Sequence, residues 1–178
     1  DVPVGQFREA LAPMVAGDYE EEHRSMLEGG IWRDGERIFE GLSLNDVVVS
    51  RGAASGMVEL RVDIGDDHVA NLRADGLIIS TPTGSTAYNL AAGGPILSPG
   101  QSSMCITPIC PHTLSNRPIV VSGDSIVEIL VSRLAEQHAY AAFDGQSTFT
   151  LQDNDRVYVR RAEHEVELLH PSGRSHFE

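Results

Sequence analysis

A chain of 178 residues with 41% apolar content is long enough for one domain with a sizeable core, and no apolar run approaches the ~20 residues that a membrane helix needs. The net charge of −13 excludes a general nucleic-acid surface, which requires a basic patch against phosphate. All 13 basic residues are arginine, so a P-loop lysine and a Schiff-base lysine are excluded within the chain; an anionic ligand has to be held by backbone N–H groups, hydroxyls and a few arginines.

The opening Asp1-Val2-Pro3-Val4-Gly5 has no basic or apolar leader region, so no signal peptide is expected, and a start at Asp rather than Met points to a processed chain or a fragment. Phe7, Leu11, Met14 and Val15 recur at helical spacing and predict a short helix over Gln6 to Val15, a connector from a preceding domain. Asp18 to Arg24 is a charge run of the kind found on solvated edge strands. Met26 to Ile31 and Arg37 to Leu44 read as strands around a turn at Arg33-Asp34-Gly35-Glu36. Val47 to Ser50, Met57 to Ile64 and His68 to Leu72 are further strands, the second with clean apolar–polar alternation.

Leu77 to Ile79 reads as a buried strand, and Thr81 to Ser85 as a tight, hydroxyl-rich loop. Ser85 or Thr86 is placed to cap a short helix over Ala87 to Ala92, which Gly93-Gly94-Pro95 ends. A strand that runs through such a loop into a helix start gathers free N–H groups at one point, which suits phosphates, carbonyls and purine edges. The competing reading is that the hydroxyls only tie up a turn. Beyond it, Ser102 to Ile109, Pro118 to Val121, Ser125 to Val131, Ala139 to Phe143, Ser147 to Leu151, Arg156 to Arg161 and Glu165 to His170 are strand candidates. Strands every eight to twelve residues with almost no helix predict a mainly β, sandwich-like domain with one short helix after the Thr-Pro-Thr-Gly-Ser-Thr loop.

Cys105 and Cys110 form neither a disulfide framework nor a zinc spacing, and both read as buried free thiols in a reducing cytoplasm. The seven histidines give no triad or metal spacing; His112 reads as a hydrogen-bonded core residue, and His68, His138 and His164 as surface residues. Asn45-Asp46 reads either as a turn or as a clamp for a ribose diol. Asp75 reads as a strand end, salt-bridged to Arg73, or as a site acid.

The block Thr81-Pro82-Thr83-Gly84-Ser85-Thr86-Ala87-Tyr88, followed by Ala92-Gly93-Gly94-Pro95-Ile96, resembles the NAD-binding motif of NAD kinases. The resemblance continues through Pro108 to Leu114, Arg117-Pro118, Leu44-Asn45-Asp46 and Phe143-Asp144-Gly145-Gln146. It implies that residues 1–178 are the C-terminal, NAD-binding β domain of such an enzyme. Asn45 and Asp46 then contact the dinucleotide, Thr86, Ala87, Tyr88 and Asn89 line the adenosine, and Gln146 lines the ligand. Asp75, with Arg73 near it, acts on the nicotinamide half, often across a subunit boundary. At position 91 many relatives have Ser, and Ala91 here lacks that hydroxyl. The resemblance further implies ATP and a divalent metal such as Mg as co-substrates of the whole enzyme, a cytoplasmic homo-oligomer (dimer or tetramer), and an N-terminal domain carrying a Gly-Gly-Asp-Gly loop that this sequence does not contain. No catalytic or metal-ligating residue is expected in the chain, and alone it is expected to be inactive. The rival readings are a non-catalytic dinucleotide-binding or assembly module and a relative of lipid kinases; the intact Thr-Gly-Ser-Thr-Ala-Tyr block argues against the latter.

Overall fold

The computed structural model describes residues 4–51, 56–113, 116–132 and 138–172. Leu114 and both ends of the chain, including Asp1 and His176-Phe177-Glu178, lie outside the described residues. Twelve strands form two six-stranded antiparallel sheets. The first holds β2 (Glu36–Ser43), β1 (Tyr19–Arg33), β12 (Arg156–Pro171), β9 (Val127–Ser132), β4 (Val58–Ile64) and β5 (Asp67–Ala74), in that spatial order. The second holds β11 (Ser147–Leu151), β10 (Ala139–Phe143), β3 (Asp46–Ser50), β6 (Gly76–Ser80), β7 (Ser103–Ile109) and β8 (Ile119–Ser122). The expected sandwich-like β domain is therefore the observed one.

The core follows from the period-2 alternation of the strands. Leu60 and Val62 of β4 and Val157 and Val159 of β12 face Val47 and Val49 of β3 and Leu77 and Ile79 of β6. Removing Leu- and Val-sized side chains from water contributes about 1.5–3 kcal/mol each, so this interior dominates the stability of the fold. Phe143 enters it through space left by two glycines: a Cβ on Gly29 would lie 2.5 Å from the ring and one on Gly41 3.2 Å from it. The Asp34-Gly35 turn, with φ of 52° and 85°, closes the β1–β2 hairpin where it was read.

Three readings of the sequence change. Arg156 to Arg161 and Glu165 to His170 are one strand, β12, because no turn residue separates them. The gap is a bulge, at which Ala162, Glu163 and His164 lie opposite Met26 alone. Beyond it, residues 19–25 of β1 pair with 165–171 of β12 and not with β2, which makes a two-stranded arm. The charge run lies in this arm and is mostly solvated, except that Arg24 is buried. The predicted N-terminal helix is α1 (Phe7–Val15), and it buries no residue: Phe7 and Leu11 are almost half exposed. Cys105 is buried as expected, whereas Cys110 is exposed, and His112, expected in the core, is exposed, its backbone N–H donating to the Arg73 carbonyl. The positive φ of Cys110 (46°) turns the chain outward at the end of β7.

Candidate functional site

The hydroxyl-rich stretch leaves the sheet at Ser80, the last residue of β6, directly opposite Asp46, the first of β3. Residues Gly84–Thr86 form a single 3-10 turn and Tyr88–Ala91 one helical turn, α2. Neither Ser85 nor Thr86 caps α2; its N-cap is Ala87, without a side-chain bond. The hydroxyls bind the loop to itself instead. Thr81 Oγ1 donates to the Leu44 carbonyl (2.6 Å) and accepts from the Gly84 N–H (3.0 Å). Ser85 Oγ donates to the Pro82 carbonyl (2.6 Å) and accepts from the Leu97 N–H (2.9 Å). The bland reading of these hydroxyls therefore holds for most of them. Gly93, with φ of 86°, ends α2 in the left-handed conformation that was expected of it.

α2 lies on the outer face of the second sheet, where Ala92 packs on Val48, Ile78 and Ile109. Asn89, read as a ligand contact, is instead fully buried under it. Its amide nitrogen donates to the Ser85 and Pro95 carbonyls (3.1 and 3.0 Å), and its oxygen accepts from Thr107 Oγ1 (2.6 Å). Gly94 leaves room for that amide, since a Cβ there would stand 2.1 Å from Asn89 Oδ1. The Asn89 side chain thus belongs to the scaffold. Thr86, Ala87, Tyr88 and Ala91 form the exposed rim of the same turn, and Tyr88 is 47% exposed.

Beside this rim stands Asn45-Asp46. Its backbone is fixed from a distant part of the chain: the Asp144 carboxylate accepts the N–H groups of Leu44 (2.7 Å), Asn45 (2.8 Å) and Asp46 (3.0 Å). The Asp144 N–H returns a bond to the Asp46 carbonyl (3.0 Å). The Asn45 carbonyl meanwhile accepts the Thr81 N–H (2.9 Å). Both backbones are thereby locked, while the side chains of Asn45 and Asp46 make no hydrogen bond among the described residues. Burial, and secondarily the neighbouring Asp144, push the Asp46 carboxyl up to about 6. Gln146 is exposed in the β10–β11 turn at this same end of the sheet.

Arg73 and Asp75 lie elsewhere. β3 and β6 pair Asp46 with Ser80 at one end and Ser50 with Gly76 at the other. Asp75, one residue before Gly76, thus sits about 16 Å along the strands from Asp46, at ~3.3 Å per residue. Its salt bridge is to Arg51 (2.9 Å), not to Arg73, which pairs with Glu59 (3.3 Å). The Arg51 guanidinium holds the Asp75 carboxyl below its ordinary range. Sequence reasoning missed three residues of this region: Asp144 as the anchor of Asn45-Asp46, Thr83, and Arg24, whose Nη1 donates to Thr83 Oγ1 (3.1 Å). All three act through contacts 59 to 100 residues apart in the chain, which no local pattern encodes.

Residues 44–171 match the family described as the ATP-NAD kinase C-terminal domain. The chain is 58% identical over 177 residues to an NAD kinase of Methylibium petroleiphilum, covering 97% of this chain and 58% of that protein. It is 52% identical to an NAD kinase of Variovorax paradoxus, covering all of this chain and 58% of that protein. The chain thus spans somewhat over half the length of the curated relatives it matches. Among solved structures, yeast NADH kinase complexed with NADH superposes with a TM-score of 0.86 at 27% identity, over 93% of this chain and 49% of that one. An NAD kinase from Archaeoglobus fulgidus in complex with ATP, at 23% identity, shares the fold with a TM-score of 0.76, over 93% of this chain and 61% of that one.

Proposed function

The chain belongs to the ATP-NAD kinase family through its C-terminal domain, and from that premise we propose that it is the NAD-binding part of an enzyme that transfers phosphate from ATP to the adenosine 2′-hydroxyl of NAD, forming NADP. The observation that carries this reading is the locked Asn45-Asp46 backbone with two unspent polar side chains beside the exposed Thr86-Ala87-Tyr88 rim. An amide and a carboxylate side by side suit the two hydroxyls of a ribose. The exposed Thr86-Ala87-Tyr88 rim suits a purine, to which the Tyr88 ring offers a flat wall. Gln146 completes the same end of the sheet, and Ala91 contributes backbone and surface only.

The catalytic base, the ATP site and its divalent metal, such as Mg, belong in this reading to an N-terminal domain outside the chain. The relatives' greater length supports that division. Arg73 and Asp75, remote from Asp46 within the chain, serve the ligand of a second subunit, so the enzyme is a homo-oligomer. Dynamic light scattering of the chain with NAD at micromolar concentration should give a dimer or larger; monomer alone would remove the role in trans of Asp75. The free thiols of Cys105 and Cys110 support a reducing, cytoplasmic setting; among the described residues no helix is long and apolar enough to cross a membrane.

The test of the clamp is Asp46→Ala. Calorimetry should show NAD binding weakened by roughly 1–3 kcal/mol, the range for a lost charged hydrogen bond. In the native chain, affinity should rise as pH climbs through about 6, because only the ionised carboxylate accepts both hydroxyls. The sign for stability is opposite. A carboxyl raised in the folded state favours the fold at low pH, and that contribution is lost as pH rises through about 6. Asp46→Asn should therefore melt higher than the native chain at pH 8 and alike at pH 4. Unchanged affinity in Asp46→Ala, with an intact circular dichroism spectrum, would remove the clamp.

A further inference from the structure

Of the charge run Asp18 to Arg24, only Arg24 is buried, at 7% exposure. Burying a guanidinium is costly unless its N–H groups find partners. Arg24 Nη2 donates to Glu22 Oε2 at 2.8 Å, and Nη1 to Thr83 Oγ1 at 3.1 Å. Behind them His170, on the other strand of the arm, lies 2.8 Å from the same Glu22 oxygen. A line of contacts thus runs from the arm to the middle of the Thr81–Tyr88 loop. The Arg24–Thr83 bond is its final link.

The direction of that bond has a chemical consequence. A guanidinium only donates, so Thr83 Oγ1 accepts, and the hydroxyl proton cannot point at Arg24. Thr83 is half-buried, and its Oγ1 donates to no other group among the described residues. We propose that Arg24 is a positioning residue for the nucleotide loop, one that fixes the Thr83 rotamer and turns the Thr83 hydroxyl proton toward the open side of the loop as a donor. This rests on the reading of residues 80–91 as the nucleotide site. The planar fork matters, because two groups of one guanidinium serve Glu22 and Thr83 at once; the point charge of a lysine is poorly suited to span both.

The experiment uses the 178-residue chain with NAD as probe. In Arg24→Met, three-bond couplings should show the Thr83 side chain averaging between rotamers where the native chain has one. Calorimetry should show NAD affinity about tenfold lower. In a Thr83→Val background, adding Arg24→Met should cost less than twofold further, since a residue that acts through Thr83 has nothing left to act on. Arg24→Lys should lie between. A native Thr83 rotamer in Arg24→Met, or an equal loss with and without the Thr83 hydroxyl, would overturn the proposal. Should Arg24→Met fail to fold, the Thr83 couplings and the same cycle are read from Arg24→Lys. Absence of NAD binding by the native chain would count against the proposed function, while the Thr83 rotamer would still decide the role of Arg24.

Discussion

Given ATP, magnesium and NAD, the 178-residue chain should form no NADP detectable with a coupled dehydrogenase, although its β core folds and its loop is in place. Phosphoryl transfer is catalysed almost wholly by positioning and by cations on the donor's phosphates. The chain has no lysine to supply one, and no group of carboxylates, histidines or cysteines that could hold a metal ion occurs among the described residues. The loop hydroxyls of Thr81 and Ser85 are bonded inward, to carbonyls of the loop and its neighbour, and not turned toward a phosphate chain. General base catalysis alone contributes typically 10²–10⁴-fold, and donor positioning contributes more. Losing both leaves binding without turnover. A rate within tenfold of a full-length relative would mean that a base is present here. Asp46 would then be the first candidate, since a buried carboxyl raised to about 6 is poised near neutral pH.

Gly84→Ala should abolish NAD binding, with a loss of more than a hundredfold. A Cβ at Gly84 would stand 2.0 Å from the Asn45 carbonyl oxygen and 2.6 Å from the Asn45 Cα. Those atoms are backbone, and they are held in place by Thr81 on one side and Asp144 on the other. No side chain can rotate away to relieve the clash. Either the Thr81–Tyr88 loop or the Asn45-Asp46 segment has to move, and the two halves of the site separate. The strands beneath need not follow, because their contacts lie in the inter-sheet core. The expected outcome is therefore a folded chain by circular dichroism with no calorimetric signal for NAD. Native affinity in Gly84→Ala would show that the loop and the clamp do not have to touch.

How much of this was legible depends on the range of the interaction. Strand alternation, the Asp34-Gly35 turn and the Gly93 stop are local, and each was read correctly, as was the mainly β class. The Arg156 to His170 stretch was cut in two although no turn residue separates its halves; only the partner strand reveals that Ala162 to His164 are a bulge opposite Met26 and that the strand is continuous. The loop hydroxyls were expected to cap a helix, yet nearby carbonyls compete for them more effectively. The motif brought Asn45, Asp46, Thr86, Ala87, Tyr88, Ala91 and Gln146 to one end of the sheet, but it carried no sign that Asn89 faces inward. Nor did it reveal that Asp75 pairs with Arg51, 24 residues earlier.

The triple acceptance by Asp144 also bears on the thermodynamics of ligand capture. Ordering a free loop residue costs roughly 1–2 kcal/mol of conformational entropy, and three residues of a flexible clamp would subtract that from the affinity at each encounter. Here Leu44, Asn45 and Asp46 are held through their N–H groups by the Asp144 carboxylate, about a hundred residues away. The ordering cost falls on folding and not on recognition. On the proposed reading the clamp is therefore preorganised, and hydrogen bonds to an incoming ribose would translate into binding free energy with little entropic offset.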